Sequence, residues 1–409
     1  MTLVAQAAAL SESIVALRRA IHADPEVGLH TPRTRDKIRA ALDHLPLEWE
    51  EGPSTTGLVG TLKGGAGAGR TVLLRGDMDA LPMPEETGLD FASTVPGVMH
   101  ACGHDTHVAM LAGAAQLLAA QADSLAGEVR FMFQPGEEGY HGARFMLEDG
   151  LLGGDGFDRP LPDAAFALHI MPNAPHGVVG GRAGPLMAAA DMLRITVTGR
   201  GGHASMPHDT MDPVPIACEI VGAIQTMVAR RFSVFDPVVV TISKIEAGTA
   251  HNVISDTAVL TGTMRTLSAA NRARLKAELP VLAAGIAAAH GLSADVEIVE
   301  GFPVTVCDAN AVDFGETVAR DLLGQGAFLR LADPIMGAED FAYVLEKVPG
   351  AMFFLGVSPE GSEWKQCCGI HSTKMMVDET VLPSGAAFLA GLATRYLAEG
   401  FASGSDQPG

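Results

Sequence analysis

Short apolar runs alternate with helix-period segments through residues 58–168, and that alternation leaves few folds open. Residues 58–62 and 71–75 read as strands, 104–121 as a helix, 128–133 as a strand, 141–149 as a short helix and 164–168 as a strand. A parallel pair needs a long crossover, usually a helix, so this order predicts an α/β layer with a mostly parallel sheet. Ile14, Leu17 and Ile21 recur at helical spacing, so the chain opens on an amphipathic helix. The run Gly64-Gly65-Ala66-Gly67-Ala68-Gly69 joins strand to strand and lacks the Lys-Ser/Thr of a phosphate loop, which predicts a plain hairpin turn.

The pattern changes near residue 183. Leu193, Ile195 and Val197 alternate as in a half-buried strand. A helix over 213–231, strands near 237–246 and 256–265, a helix near 268–290 and a strand at 294–299 follow. The order β-α-β-β-α-β is the ferredoxin-like split unit and is complete in itself. It predicts an inserted domain over 183–297, within an α/β domain made of 1–182 and 298–409. The tail, 403–409, is expected to be disordered.

Composition narrows the function. Lys+Arg is 28 and Asp+Glu is 48, a formal net charge of −20, which repels phosphate backbones and anionic lipid. Aromatics at 5% leave little for base stacking, so nucleic acid is not an expected partner. Five cysteines in 409 residues are too few for a disulfide framework and fit a reducing cytoplasm. No apolar run reaches the ~18–20 residues that span a bilayer, and the N-terminus does not read as a signal peptide.

The densest polar cluster is Met99-His100-Ala101-Cys102-Gly103-His104-Asp105-Thr106-His107. A thiol, three imidazoles and a carboxylate are the usual ligands of Zn²⁺ and similar ions. Cys102 and His104 flank a glycine, and His107 lies one helical turn beyond His104. The apolar strand ending at Gln134 leads into a turn with adjacent Glu137 and Glu138. One such carboxylate can bind a metal while the other takes a proton from water. His169 ends another apolar strand, His371 follows a glycine turn, and Asp77 and Asp79 follow strand 71–75, placed to orient a ligand imidazole. Cys367-Cys368 adjoins the His371 turn without a Cys-x-x-Cys spacing.

These motifs resemble the M20 metallopeptidase and amidohydrolase family, and most closely its hippurate hydrolase-like subfamily of N-acyl-amino-acid amidohydrolases and plant auxin-conjugate hydrolases. The resemblance rests on Leu74-Arg75-Gly76-Asp77-Met78-Asp79-Ala80-Leu81-Pro82, Met99 to Asp105, Gln134-Pro135-Gly136-Glu137-Glu138, Gly201-Gly202-His203-Ala204-Ser205, His251-Asn252-Val253-Ile254, Gly337-Ala338-Glu339-Asp340-Phe341 and His371. It implies a zinc-peptidase-like α/β domain with an inserted ferredoxin-like lid that dimerises. It also implies two divalent ions on Cys102, His104, Glu138, His169 and His371, with the thiolate bridging and Glu137 as general base. His203 would polarise the scissile carbonyl, in many members across the dimer interface. Asn252, Arg265 and Gly337 would contact substrate. The sequence departs from the family pattern at Thr31, in residues 372–379 and at the Cys367-Cys368 pair.

The expectation is therefore a cytoplasmic homo-oligomer that hydrolyses the amide bond of N-acyl amino acids with Zn, Mn, Co or Ni. A dipeptidase or carboxypeptidase using the same water is the alternative. A binding protein without turnover has no need of Glu137, and a thiol redox protein would keep its activity without metal.

Overall fold

The computed structural model describes residues 1–401; the tail 403–409 lies outside the described residues. The chain forms two compact units. One comprises Met1–Leu186, Val306–Asp333 and the chain from Asp340 onward; the other comprises Met187–Thr305 with Pro334–Glu339. The expected boundary at 297 falls inside the strand Ser293–Glu300, and residues 334–339 return to the second unit after 306–333 belong to the first.

The first unit is built on an eight-stranded sheet. Its order is Glu48–Glu51, Leu58–Lys63, Glu128–Gln134, Thr71–Asp77, Ala164–Met171, Gly350–Gly356, Val179–Gly181, Phe328–Arg330. The four strands from Glu128–Gln134 to Gly350–Gly356 are parallel neighbours, as the alternation predicts. The glycine run 64–69 is not a hairpin turn. Leu58–Lys63 and Thr71–Asp77 both pair with Glu128–Gln134, which lies between them. The glycine segment therefore crosses the start of that strand, with Gly64 N–H donating to Gly127 C=O at 2.8 Å and Gly127 N–H to Gly67 C=O at 2.9 Å.

Beyond its polar first turn the helix His104–Ala119 is apolar round nearly its whole circumference, as a helix buried on all sides requires; Val108, Leu111, Ala115 and Leu118 have no exposed surface. The helix Leu382–Glu399 packs against it closely enough that a Cβ at Gly385 would lie 2.1 Å from the Met110 sulfur and force that side chain to move. The opening helix Ser11–His22 buries Ile14 and Ile21 as its periodicity predicts, and also Arg18 at 2% exposure, a charge that burial requires to be paired. Arg18 Nε donates to Asp105 Oδ2 at 2.8 Å, and His22 Nδ1 lies 2.9 Å from the same oxygen.

The second unit contains the strands Ala189–Thr198, Val238–Ala247, Thr257–Thr266 and Ser293–Glu300 and the helices Pro213–Arg231 and Ala269–Ala289. Sheet order is 238–247, 257–266, 189–198, 293–300, antiparallel throughout, the order of the ferredoxin-like unit. Leu193, Ile195 and Val197 on one sheet face meet Ile216, Ile220, Ile224, Leu275 and Leu279 from the helices.

Candidate metal centre

The carboxyl ends of parallel strands in an open sheet form a crevice, and the first unit places its polar clusters there. Thr71–Asp77 delivers Asp77 and Asp79, Glu128–Gln134 delivers Glu137 and Glu138, and Ala164–Met171 delivers His169. His104 is the first residue of the helix His104–Ala119. Gly103 before it sits at φ 83°, and a Cβ there would lie 2.5 Å from Ile170 Cγ1. Glycine is the residue that lets the Cys102–His104 turn press against the end of the His169 strand.

The proposed ligands come together in two groups of three whose donor atoms lie within 4.8 Å of one another: Cys102, His104 and His169, and Cys102, Glu138 and His371. Cys102 is the shared corner. Its Sγ lies 3.4 Å from His169 Nε2. His104 Nδ1 lies 2.8 Å from the Asp79 backbone carbonyl, which can only accept, so Nδ1 carries the proton. His104 Nε2 is left facing the centre, fully buried and without a hydrogen-bond partner among the described residues. His169 Nδ1 lies 2.6 Å from the Ile170 carbonyl, which by the same argument turns an unprotonated Nε2 toward Cys102. His371 is exposed, stands in the left-handed region at φ 61°, and is tied by its N–H to Ala101 C=O at 2.7 Å. Its Nε2 lies 3.3 Å from Glu138 Oε1.

Electrostatics point the same way. Burial, reinforced by the negative charges of Glu138, Glu137 and Asp77, holds the Cys102 thiol well above its ordinary pKa. Burial opposes a charge on His104, yet Asp77, Asp79 and Glu138 push it up to about 10. Four carboxylates around one imidazole form a buried anionic cluster that demands a cation, met by a proton on His104 in the metal-free protein and open to a metal ion in its place. The donor set of thiolate, imidazole and carboxylate fits borderline ions of the Zn²⁺ type. The residues present fit a metal pair.

Asp79 does more than orient an imidazole. Its two carboxylate oxygens accept the backbone N–H groups of Glu137 at 3.0 Å and Glu138 at 3.1 Å, which fixes the turn that carries both glutamates. Asp77 accepts from Arg75 Nη1 at 2.6 Å and faces His107 Nδ1 at 2.5 Å, and Arg75, His104 and His107 outweigh burial to hold it well below the carboxylate range. Sequence reasoning assigned no role to Arg75, Gln134 or Asp340. Arg75 Nε donates to Gln134 at 2.8 Å, Gln134 Nε2 donates to Asp340 at 2.7 Å, and Asp340 accepts the Ala143 N–H at 2.9 Å. The available signal was an arginine directly after the apolar run Val72-Leu73-Leu74, since a charge in a buried strand needs partners. Of the three histidines in the 99–107 cluster, His100 belongs to none of the ligand groups among the described residues. Its ring is buried and burial pushes its pKa down to about 3.

The remaining expected site residues lie in the second unit. His203 is on a two-stranded ribbon opposite Val253, and Ala204 N–H donates to Asn252 C=O at 3.0 Å. Ser205 N–H donates to His203 Nδ1 at 3.2 Å, and the Ser205 hydroxyl lies 2.8 Å from the same nitrogen. Nδ1 is therefore an acceptor, and the neutral ring carries its proton on Nε2. Arg265 sits half-buried on Thr257–Thr266 opposite Ala190 and Val239; burial lowers its pKa against the opposing charge of Asp191. Gly337 C=O accepts the N–H of Ala188, two residues before Ala190, at 2.9 Å.

Two ligand groups sharing a thiol, with a second glutamate beside them, define a metal-dependent hydrolase. Residues 73–395 match Peptidase family M20/M25/M40, and the chain belongs to that family. It is similar to thermostable carboxypeptidase 1 of Saccharolobus solfataricus, at 40% identity over 95% of this chain and 96% of the relative. It is similar to N-acetyl-L-cysteine deacetylase of Bacillus subtilis, at 36% identity over 95% and 89%. A solved structure, the Bacillus subtilis YxeP protein described as a dinuclear metal binding peptidase from M20 family, superposes with a TM-score of 0.81 at 33% identity, covering 95% of this chain and 99% of that one. Among the described residues no helix is long and apolar enough to cross a membrane.

Proposed function

We propose that this chain hydrolyses the amide bond of N-acyl amino acids, releasing a carboxylic acid and a free amino acid. The observation that carries the reading is the Glu137-Glu138 turn. Glu138 joins the Cys102 and His371 donors, while Glu137 is held one residue away by the same Asp79 carboxylate. A protein that only binds metal has no use for that second carboxylate. N-acyl amino acids are the substrate class because an N-acetyl-L-cysteine deacetylase is similar over nearly the whole chain.

Cys102, His104, Glu138, His169 and His371 would hold two divalent ions, of Zn, Mn, Co or Ni. Such a pair would supply Lewis acidity toward water and the acyl carbonyl. Glu137 takes the proton of the attacking water, then returns it to the amine nitrogen as the C–N bond breaks. His203, with its proton on Nε2, donates to the developing oxyanion. Arg265 receives the α-carboxylate in its guanidinium fork, with Asn252 and Gly337 lining the substrate. Asp77 and Asp79 hold the centre from outside. The chain works as a homodimer or larger homo-oligomer through the second unit, and five free cysteines suit the cytoplasm.

A carboxypeptidase reading has one specific support, the 40% identity to thermostable carboxypeptidase 1. The test is a screen of N-acetyl, N-benzoyl and long-chain N-acyl amino acids beside dipeptides, run with Glu137→Gln and Glu138→Gln. Glu137→Gln should abolish turnover, by ~10²–10⁴-fold or more, and keep its metal. Glu138→Gln should lose metal. Turnover confined to dipeptides would select the second reading, and the reverse pattern in the two variants would swap base and ligand.

A further inference from the structure

We propose that His107 is a positioning residue, a replacement rung that holds the His169 strand end to Asp77 and cannot itself ligate metal. The inference rests on the metal-centre reading above. By sequence His107 belongs with Cys102 and His104, and with Asp77 and His104 it forms a group of ligand type. Its hydrogen bonds decide otherwise. Nδ1 faces the Asp77 carboxylate at 2.5 Å and is the nitrogen placed to donate to it. Nε2 receives the backbone N–H of Ile170 at 2.9 Å, and a backbone N–H only donates. A neutral imidazole has one donor and one acceptor, and both are engaged. His104 and His169 each direct the proton outward to a backbone carbonyl and keep Nε2 for the centre.

The place where this happens explains its use. Thr71–Asp77 and Ala164–Met171 pair in register from Val72 opposite Ala164 to Arg75 opposite Ala167, and the ladder stops there. Asp77 and His169 lie beyond the last rung, where two parallel strands part to open a crevice. His107 reaches from the helix into that opening and bonds to Asp77 on one strand and Ile170 on the other. Ile170 is thereby gripped twice, its N–H by His107 and its C=O by His169 Nδ1. The His107 ring packs on the His169 ring at 4.4 Å between centroids. The position of the His169 Nε2 lone pair is therefore set by His107 at one remove.

The test is ¹⁵N NMR of histidine-labelled, metal-free protein, followed by titration with Zn²⁺. His107 should show a protonated Nδ1 and an unprotonated Nε2, and neither should move on Zn²⁺ addition as the Nε2 signals of His104 and His169 do. A ligand-type shift at His107, or a proton on its Nε2, overturns the proposal. In folded His107→Ala protein, exchange of the Ile170 amide should quicken ~10-fold, the worth of one hydrogen bond, and zinc affinity should fall with stoichiometry unchanged. Unchanged exchange of that amide also overturns it. If no imidazole responds to Zn²⁺, the metal reading fails, whereas the metal-free spectrum judges His107 independently.

Discussion

Asp79→Asn separates the turn that carries the two glutamates from the glutamates themselves. Asp79 is 1% exposed, and each carboxylate oxygen accepts one backbone N–H, from Glu137 and from Glu138. Asparagine keeps one oxygen and turns an NH₂ group toward the other N–H. One hydrogen bond to a charged acceptor is lost, worth ~1.5–3 kcal/mol, and a buried donor is left facing a donor, so the whole cost is roughly 2–4 kcal/mol. The Asp79 backbone carbonyl is untouched, so His104 keeps its orientation. The cost appears as lost stability if the turn stays in place. It appears as lost metal affinity and kcat if the turn moves, at about a factor of ten for each 1.4 kcal/mol. Denaturant unfolding, chelator competition for metal and steady-state kinetics on the same preparation measure all three. Wild-type stability, metal affinity and kcat together in Asp79→Asn would refute the reasoning.

His203→Ala should lower kcat by ~10²–10³-fold, the cost of one oxyanion donor, at unchanged metal content; unchanged kcat would remove His203 from the mechanism. Ser205→Ala should cost only a few-fold, because the Ser205 backbone N–H still fixes the tautomer, and a loss as large as that of His203→Ala would contradict this. His22 tests the buried ion pairs under the opening helix. Burial opposes its charge, but Asp105 and Glu85 raise its pKa from 6.5 to about 9. Its folded pKa lies above the unfolded one, so its stabilisation, roughly 3 kcal/mol, is complete below pH ~6.5 and is lost as pH rises through about 9. The stability difference between wild type and His22→Gln should accordingly shrink between pH 6 and 10, and a constant or growing difference would exclude the assignment.

Much of this architecture was legible where the signal is local. Period-2 and period-3.6 patterns gave the strands Thr71–Asp77, Glu128–Gln134 and Ala164–Met171 and the whole second-unit order within a few residues. Strand pairing is not local, and there the glycine run at 64–69 misled: adjacent strands in sequence are separated in the sheet by Glu128–Gln134. The ligand residues stood out because thiols, imidazoles and paired carboxylates at strand ends are unusual. Their supports did not. Nothing in the spacing of Asp77 and Asp79 says that one braces the glutamate turn and the other takes Arg75 and His107. His107 looked like another ligand because sequence shows which ring is present, not which nitrogen is already engaged.

The central claim is that amide hydrolysis here needs a metal pair. Its most direct test is release of free amino acid from an N-acetyl amino acid by metal-depleted protein, followed while Zn²⁺ or Mn²⁺ is added and bound metal is counted. Turnover should be absent without metal, rise with occupancy, and level off near two ions per chain. Full turnover by protein shown to hold no metal, or none with two ions bound and a complete substrate panel supplied, would contradict the account.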